Sequence, residues 1–138
     1  MRRKLAQHYP AGVVEQVIAR LVEQRYLDDV SFAIEWRRQR ERRRPRGQSL
    51  LRRELQGLGV DREVIQEALD GIDEAENAYR AASAIARRLA NNDYGHFRRK
   101  VWAYLQRRGF DHSAIRSTVE RHWSELADPL DGGVDTES

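Results

Sequence analysis

Cysteine is absent from these 138 residues, which excludes a disulfide framework, thiol chemistry and thiolate metal sites. The same absence suits a reducing, cytoplasmic setting. Lysine is almost missing too: Lys4 and Lys100 are the only lysines among 25 basic residues, so the positive charge is carried by arginine. Guanidinium forks match carboxylate and phosphate oxygens, whereas an ammonium acts as a point charge. Proline appears three times, at 10, 45 and 129, each time between patterned segments. No run approaches the roughly 18 apolar residues that a membrane span needs, and no secretory signal opens the chain. The four histidines, His8, His96, His112 and His122, lack the paired spacing that zinc requires. No glycine-rich phosphate loop and no nucleophile–base pair is present. Catalysis, a cofactor and a membrane partner are therefore not expected.

What is present is charge and helical period. Charged residues make up 34% of the chain, and the net charge is +3. The end of the chain, "ADPLDGGVDTES" over 127–138, holds Asp128, Asp131, Asp135 and Glu137 with no base. It therefore carries −4 and leaves +7 on residues 1–126. That end reads as an acidic, disordered tail.

Apolar residues recur with helical period from Val13 to Val22 (Val13, Val14, Val17, Ile18, Leu21, Val22), predicting a helix that starts at Pro10 and buries this stripe. The pattern predicts a stop near Arg25 and a new helix capped by Asp28 or Asp29, with Phe32, Ala33 and Trp36 on one face. Residues 37–49, "RRQRERRRPRGQS", contain no hydrophobic residue, and the first ten hold seven arginines and one glutamate. A helix here must project from the core or lie along a partner, until Pro45 and Gly47 break it. Further helices follow: Leu50, Leu51 and Leu55; Val64, Ile65, Ala68 and Leu69; Tyr79 to Leu89 behind the capping-box variant "DEAE"; Phe97 to Leu105; and Ile115 to Trp123. Nothing alternates with period two for long enough to argue a strand.

Two stretches fifty residues apart say nearly the same thing: "LQGLGVD" at 55–61 and "LQRRGFD" at 105–111. The shared positions are a helix face, a left-handed glycine C-cap, the apolar residue behind it and an aspartate N-cap. This is a helix–turn–helix corner written twice, with a weaker copy at Leu5 and Tyr9-Pro10. Tandem helical repeats follow from it. The expected fold is all-α, an elongated, curved array of three-helix repeats. Its expected divisions are 1–44 with a clipped first helix, 45–92, 93–126 stopping short of a third helix, and the tail at 127–138.

The strings "RYLDDVSFA" (25–33), "RGQSLLRRELQGLGV" (46–60) and "RRGF" (107–110), in this order, resemble the RecX regulatory proteins, over roughly residues 4–125. In place of the family's usual Pro-basic-basic after Arg-Gly, Gln48, Ser49 and Leu50 stand here. The resemblance implies tandem three-helix repeats and a binding regulator, not an enzyme. It implies as partner the RecA recombinase filament on single-stranded DNA, with restraint of strand exchange, ATP hydrolysis and co-protease activity.

Most recognisable residues serve structure on this reading: Asp28 and Asp29 as caps, Trp36 and Trp123 as packing. The arginine run differs, because guanidinium groups on every face of one segment repel each other. The expected filament- or DNA-binding residues are Arg37, Arg40, Arg43, Arg44, Arg46, Arg52 and Arg53, with Arg98, Arg99, Lys100, Arg107 and Arg108 extending them along the later helices. Naked DNA is the alternative partner, since a tight helical corner is also the shape of a DNA-reading helix–turn–helix. A scaffold pairing these arginines with the acidic 61–76 run of a neighbour is a third option, and a monomer is expected.

Overall fold

The computed structural model describes residues 11–127, which form six helices. They are α1 (Ala11–Arg43), α2 (Gln48–Gly57), α3 (Arg62–Leu69), α4 (Glu74–Arg88), α5 (Tyr94–Arg107) and α6 (His112–Ala127). No strand occurs among the described residues. The expected helix start at Pro10, the N-terminal copy of the corner and the tail from Asp128 lie outside the described residues.

The expected break near Arg25 does not occur: α1 runs unbroken for 33 residues, about 50 Å at 1.5 Å per residue. Asp28 and Asp29 do not cap. Gln24 donates to the Asp28 carboxylate at 2.9 Å, and Arg25 lies 3.9 Å from that of Asp29, both one turn back along the same helix. Such i,i+4 pairs support a continuing helix and remove the side chains from capping duty. The expected buried stripe is corrected as well. Val14 is buried and Val17 and Ile18 are half-buried, but Val13, Leu21 and Val22 are exposed.

The repeated corner forms twice with the same backbone. After α2, the Val60 amide donates to the Leu55 carbonyl at 3.0 Å and Gly59 to Gln56 at 3.0 Å, with Gly59 at φ +86°. After α5, Phe110 donates to Leu105 at 3.2 Å and Gly109 to Gln106 at 3.0 Å, with Gly109 at φ +87°. This paired closure satisfies carbonyls the helix would otherwise leave open, and it needs a residue that tolerates positive φ. Asp73, Asp93 and Asp111 then accept from the amides of Glu76, His96 and Ala114 at 3.1, 2.8 and 2.7 Å, starting α4, α5 and α6. Asp61 starts α3 without a side-chain cap bond.

Two apolar clusters gather the helices in threes, in a different phase from boundaries at 45 and 93. The first unit packs Ala33 of α1 against Leu51 and Leu55 of α2 and Val64, Ile65, Ala68 and Leu69 of α3. The second packs α4, α5 and α6 around Phe97, Val101, Leu105, Phe110, Ile115 and Val119. On its inner face α4 presents Ala78, Ala81, Ala82 and Ala86, small side chains that let neighbouring helices approach closely. Trp123 fills the space beside Tyr94 and Phe97, at ring distances of 5.2 and 5.1 Å.

The second unit's corner docks on the start of α2. The Gly47 amide donates to the Arg108 carbonyl at 2.8 Å, and the two glycines approach so closely that a Cβ on Gly47 would enter the Gly109 carbonyl. Glu74, at the start of α4, accepts from the amides of Gln48 at 3.1 Å and Asp111 at 3.3 Å. The N-termini of α2 and α6 thus face one carboxylate that itself stands in the first turn of α4, an arrangement the helix dipoles favour. Burial pushes the Glu74 carboxyl above its usual range, and the two amides pull back against it. Glu74→Ala leaves both amides without this acceptor and is expected to cost about 2 kcal/mol in urea unfolding, whereas Glu74→Gln, which keeps an acceptor oxygen, costs less.

His122 is buried between α4 and α6, its ring stacked on Tyr79 at 4.1 Å and its Nε2 2.9 Å from the Tyr79 carbonyl. Burial holds its pKa below the ordinary 6.5, against the Tyr79 carbonyl and Glu125, which raise it. The unfolded chain therefore takes up this proton first. The neutral ring's contribution is complete above pH 6.5 and is lost as pH falls from there toward the depressed folded value. Thermal melts of the wild type should lose stability on acidification below that point, and His122→Gln should flatten this part of the profile.

Candidate nucleic-acid interface

The arginine segment neither projects freely nor waits for an outside partner along its whole length. It lies across the second unit. Arg80 of α4 donates to the Glu41 carbonyl at 2.9 Å and Asn77 to the Glu41 carboxylate at 3.3 Å. Arg108 reaches back from the α5–α6 corner and donates to the carbonyls of Pro45 at 3.2 Å and Arg44 at 2.9 Å. The end of α1 is therefore the seam between the two units.

A basic groove runs along this seam as three adjoining depressions. The middle one, about 260 Å³, is lined by Gln39, Arg40, Arg43, Arg44, Arg46 and Arg108. Gln39, Arg40 and Arg43 continue with Arg42 into a second of about 550 Å³. Arg44 continues into a third of about 200 Å³, which adds Arg80, Arg88 and Tyr104. The Arg108 guanidinium lies 5.6 Å from the Tyr104 ring centre, joining the middle and third depressions.

Among the described residues, few carboxylates oppose the charge in the groove. Glu54 is its main counter-ion: it pairs with Arg46, stands 3.6 Å from Arg40 Nε, and accepts from Trp36 Nε1 at 3.0 Å. Arg42 pairs with Glu35 at 3.3 Å. The side chains of Arg43 and Arg44 make no ion pair or hydrogen bond among the described residues. Burial, followed by the nearby Arg40 and Arg108 guanidinium groups, holds the Arg46 pKa below its ordinary value. Arginine keeps its proton regardless, so the repulsion stays in the fold until an anion relieves it.

Five of the twelve expected residues, Arg40, Arg43, Arg44, Arg46 and Arg108, come together in the groove. Arg37 does not join them; it donates to the Ala68 carbonyl at 2.9 Å and pairs with Glu41 at 3.5 Å, holding α1 to the end of α3. Arg52, Arg53, Lys100 and Arg107 lie outside these depressions. Arg98 and Arg99 line a separate shallow patch with Trp102, whose ring Arg98 covers at 4.6 Å. Sequence reasoning missed Arg42, Arg80, Arg88 and Tyr104. One signal was readable, since Arg80, Ala84 and Arg88 stand one turn apart and so share a face of α4.

Two family models match the chain: "RecX, second three-helix domain" over residues 28–69 and "RecX, third three-helix domain" over 72–119. These spans follow the two apolar clusters. Curated proteins named "Regulatory protein RecX" are similar over most of its length. That of Chlorobium limicola is 33% identical over 119 residues, covering 86% of this chain and 75% of the relative. That of Prosthecochloris aestuarii is 38% identical over 107 residues, covering 78% and 70%. That of Mycobacterium leprae is 34% identical over 115 residues, covering 80% and 67%. No solved structure matches the chain.

Proposed function

Since the chain belongs to the RecX family, we propose that it binds the RecA filament on single-stranded DNA and restrains its recombinase, ATPase and co-protease activities. It acts as a monomer and as a binding protein, without chemistry of its own. The observation that carries this reading is the basic groove at the seam of the two units, whose middle depression gathers five guanidinium groups around Glu54, the one carboxylate paired with them among the described residues. Guanidinium forks hold phosphate oxygens bidentately, and a track of them along a groove follows a strand's backbone without reading its bases. A body seated on that backbone occludes the second DNA that strand exchange requires.

The alternative, a helix–turn–helix-like protein acting on naked DNA, fits less well. The helix after the first corner, α3, exposes Glu63 and Glu67, which would meet phosphates and base edges with the wrong sign. Co-sedimentation with RecA filaments, against single-stranded DNA alone and at low and high salt, separates the readings. A purely phosphate-driven binder loses affinity with a log–log slope of about −0.7 per neutralised phosphate on single strands. Filament binding should keep a component that salt does not erase. Equal binding to both, abolished by salt, sinks the filament reading.

A further inference from the structure

We propose that the middle depression of the groove is a discrete seat for one phosphoryl oxyanion, and that filling it fastens the two helical units together. The seat goes beyond the filament reading, because it needs neither the recombinase nor a long strand.

The space, about 260 Å³, takes a phosphate or pyrophosphate group with water to spare, a water's share of liquid being about 30 Å³. Five guanidinium groups line it, and Glu54, shared between Arg40 and Arg46, is the one carboxylate paired with them among the described residues. Arg108 is anchored by the carbonyls of Arg44 and Pro45, which fix its position without cancelling its charge. The Arg40 Nε is buried and makes no hydrogen bond, the Glu54 oxygen at 3.6 Å being only at ion-pair distance. Cations held this close by backbone carbonyls and a shared carboxylate favour whatever anion enters. A carboxylate offers two oxygens and one charge, whereas a phosphoryl group offers three or more oxygens in tetrahedral array and up to two charges. Forks approaching from several directions suit the second.

Position gives the seat its second property. Arg40, Arg43, Arg44 and Arg46 belong to α1 and the segment after it, and Arg108 belongs to the corner of the other unit. An anion between them bridges the seam beside the Gly47–Gly109 contact. By linkage, a ligand that binds only the docked arrangement stabilises docking. The phosphoryl group could come from a nucleic-acid backbone or from a free phosphate chain.

The test uses the whole chain and inorganic pyrophosphate, with sodium chloride at matched ionic strength as reference. At a hundredfold excess over Kd, pyrophosphate should raise Tm by about 5–10 °C above the chloride reference. Arg43→Gln, which removes a guanidinium without a partner among the described residues, should abolish most of that rise while melting near the wild type in chloride. Arg108→Gln should abolish it too, at a lower starting Tm because its carbonyl bonds are lost. Competition by a short oligonucleotide identifies a backbone phosphodiester as an occupant; pyrophosphate binding without such competition identifies the free anion. Equal stabilisation by chloride and pyrophosphate, or an undiminished rise in Arg43→Gln, overturns the proposal. Since no recombinase enters the assay, this result and the filament result can fail separately.

Discussion

Gly47→Ala is expected to separate the two helical units while their helices persist. Gly47 has φ −70° and ψ 161°, extended backbone open to any residue, so the cost is steric and not conformational. The added methyl would enter the Gly109 carbonyl and the Phe110 amide, backbone atoms on the opposite side of the seam that cannot rotate away. Overpacking against rigid neighbours should cost about 3 kcal/mol, or on the order of 10 °C in Tm. Far-UV circular dichroism should stay near the wild type. Hydrogen exchange should show protection lost at the amides of Gly47 and Gln48, which are bonded to Arg108 and Glu74. Gly59→Ala is the control. It carries left-handed strain of about 1 kcal/mol, but a Cβ there meets nothing within 4 Å. If Gly47→Ala melts like the wild type, the units do not meet at this contact.

Reversing Arg43 and Arg44 together to glutamate should weaken filament binding on the order of 100-fold at low salt, taking about 1.5 kcal/mol for each charge-assisted bond lost. These two line the groove and have no side-chain partner among the described residues, so their removal strands no buried carboxylate there. Arg40 is a poorer choice because Glu54 depends on it. The salt dependence should flatten as well, by about 1.4 in log–log slope if each arginine neutralises one phosphate. Reversing Arg52 and Arg53, which stand outside the groove, should have a much smaller effect. Comparable losses from the two pairs would mean that binding follows overall charge and not the groove.

The corner was legible in the sequence because its chemistry is local: only glycine accepts the left-handed turn cheaply, and at the second copy Asp111 reaches the third amide beyond it, although Asp61 at the first makes no such bond. Even so, Gly59 and Gly109 read alike. What distinguishes them is Leu50, whose Cβ and amide would stand 2.5 Å from a Cβ at Gly109. That neighbour is fifty-nine residues away and is supplied only by the docking of the units. The unbroken α1 was not legible, since Asp28 and Asp29 are good caps on paper, and nothing in the local pattern distinguishes a cap from a carboxylate that turns back along the helix toward Gln24 and Arg25. The groove was legible in part. A run of arginines advertises itself, but the sharing of labour within it does not. Arg37 is spent on Ala68, Arg46 on Glu54, and Arg80, Arg88 and Tyr104 arrive from elements that carry no run at all.

Between Val13 and Arg43, α1 contains neither glycine nor proline, and its backbone bonds run uninterrupted to the edge of the groove. It is a beam about 50 Å long with no joint in it. A pivot of about 10° at the Arg43 end would sweep the Ala11 end through roughly 9 Å, and a push at the Ala11 end returns as torque on the seam. Whatever takes hold of the first turns of this helix therefore gains mechanical leverage over the arginines at the last.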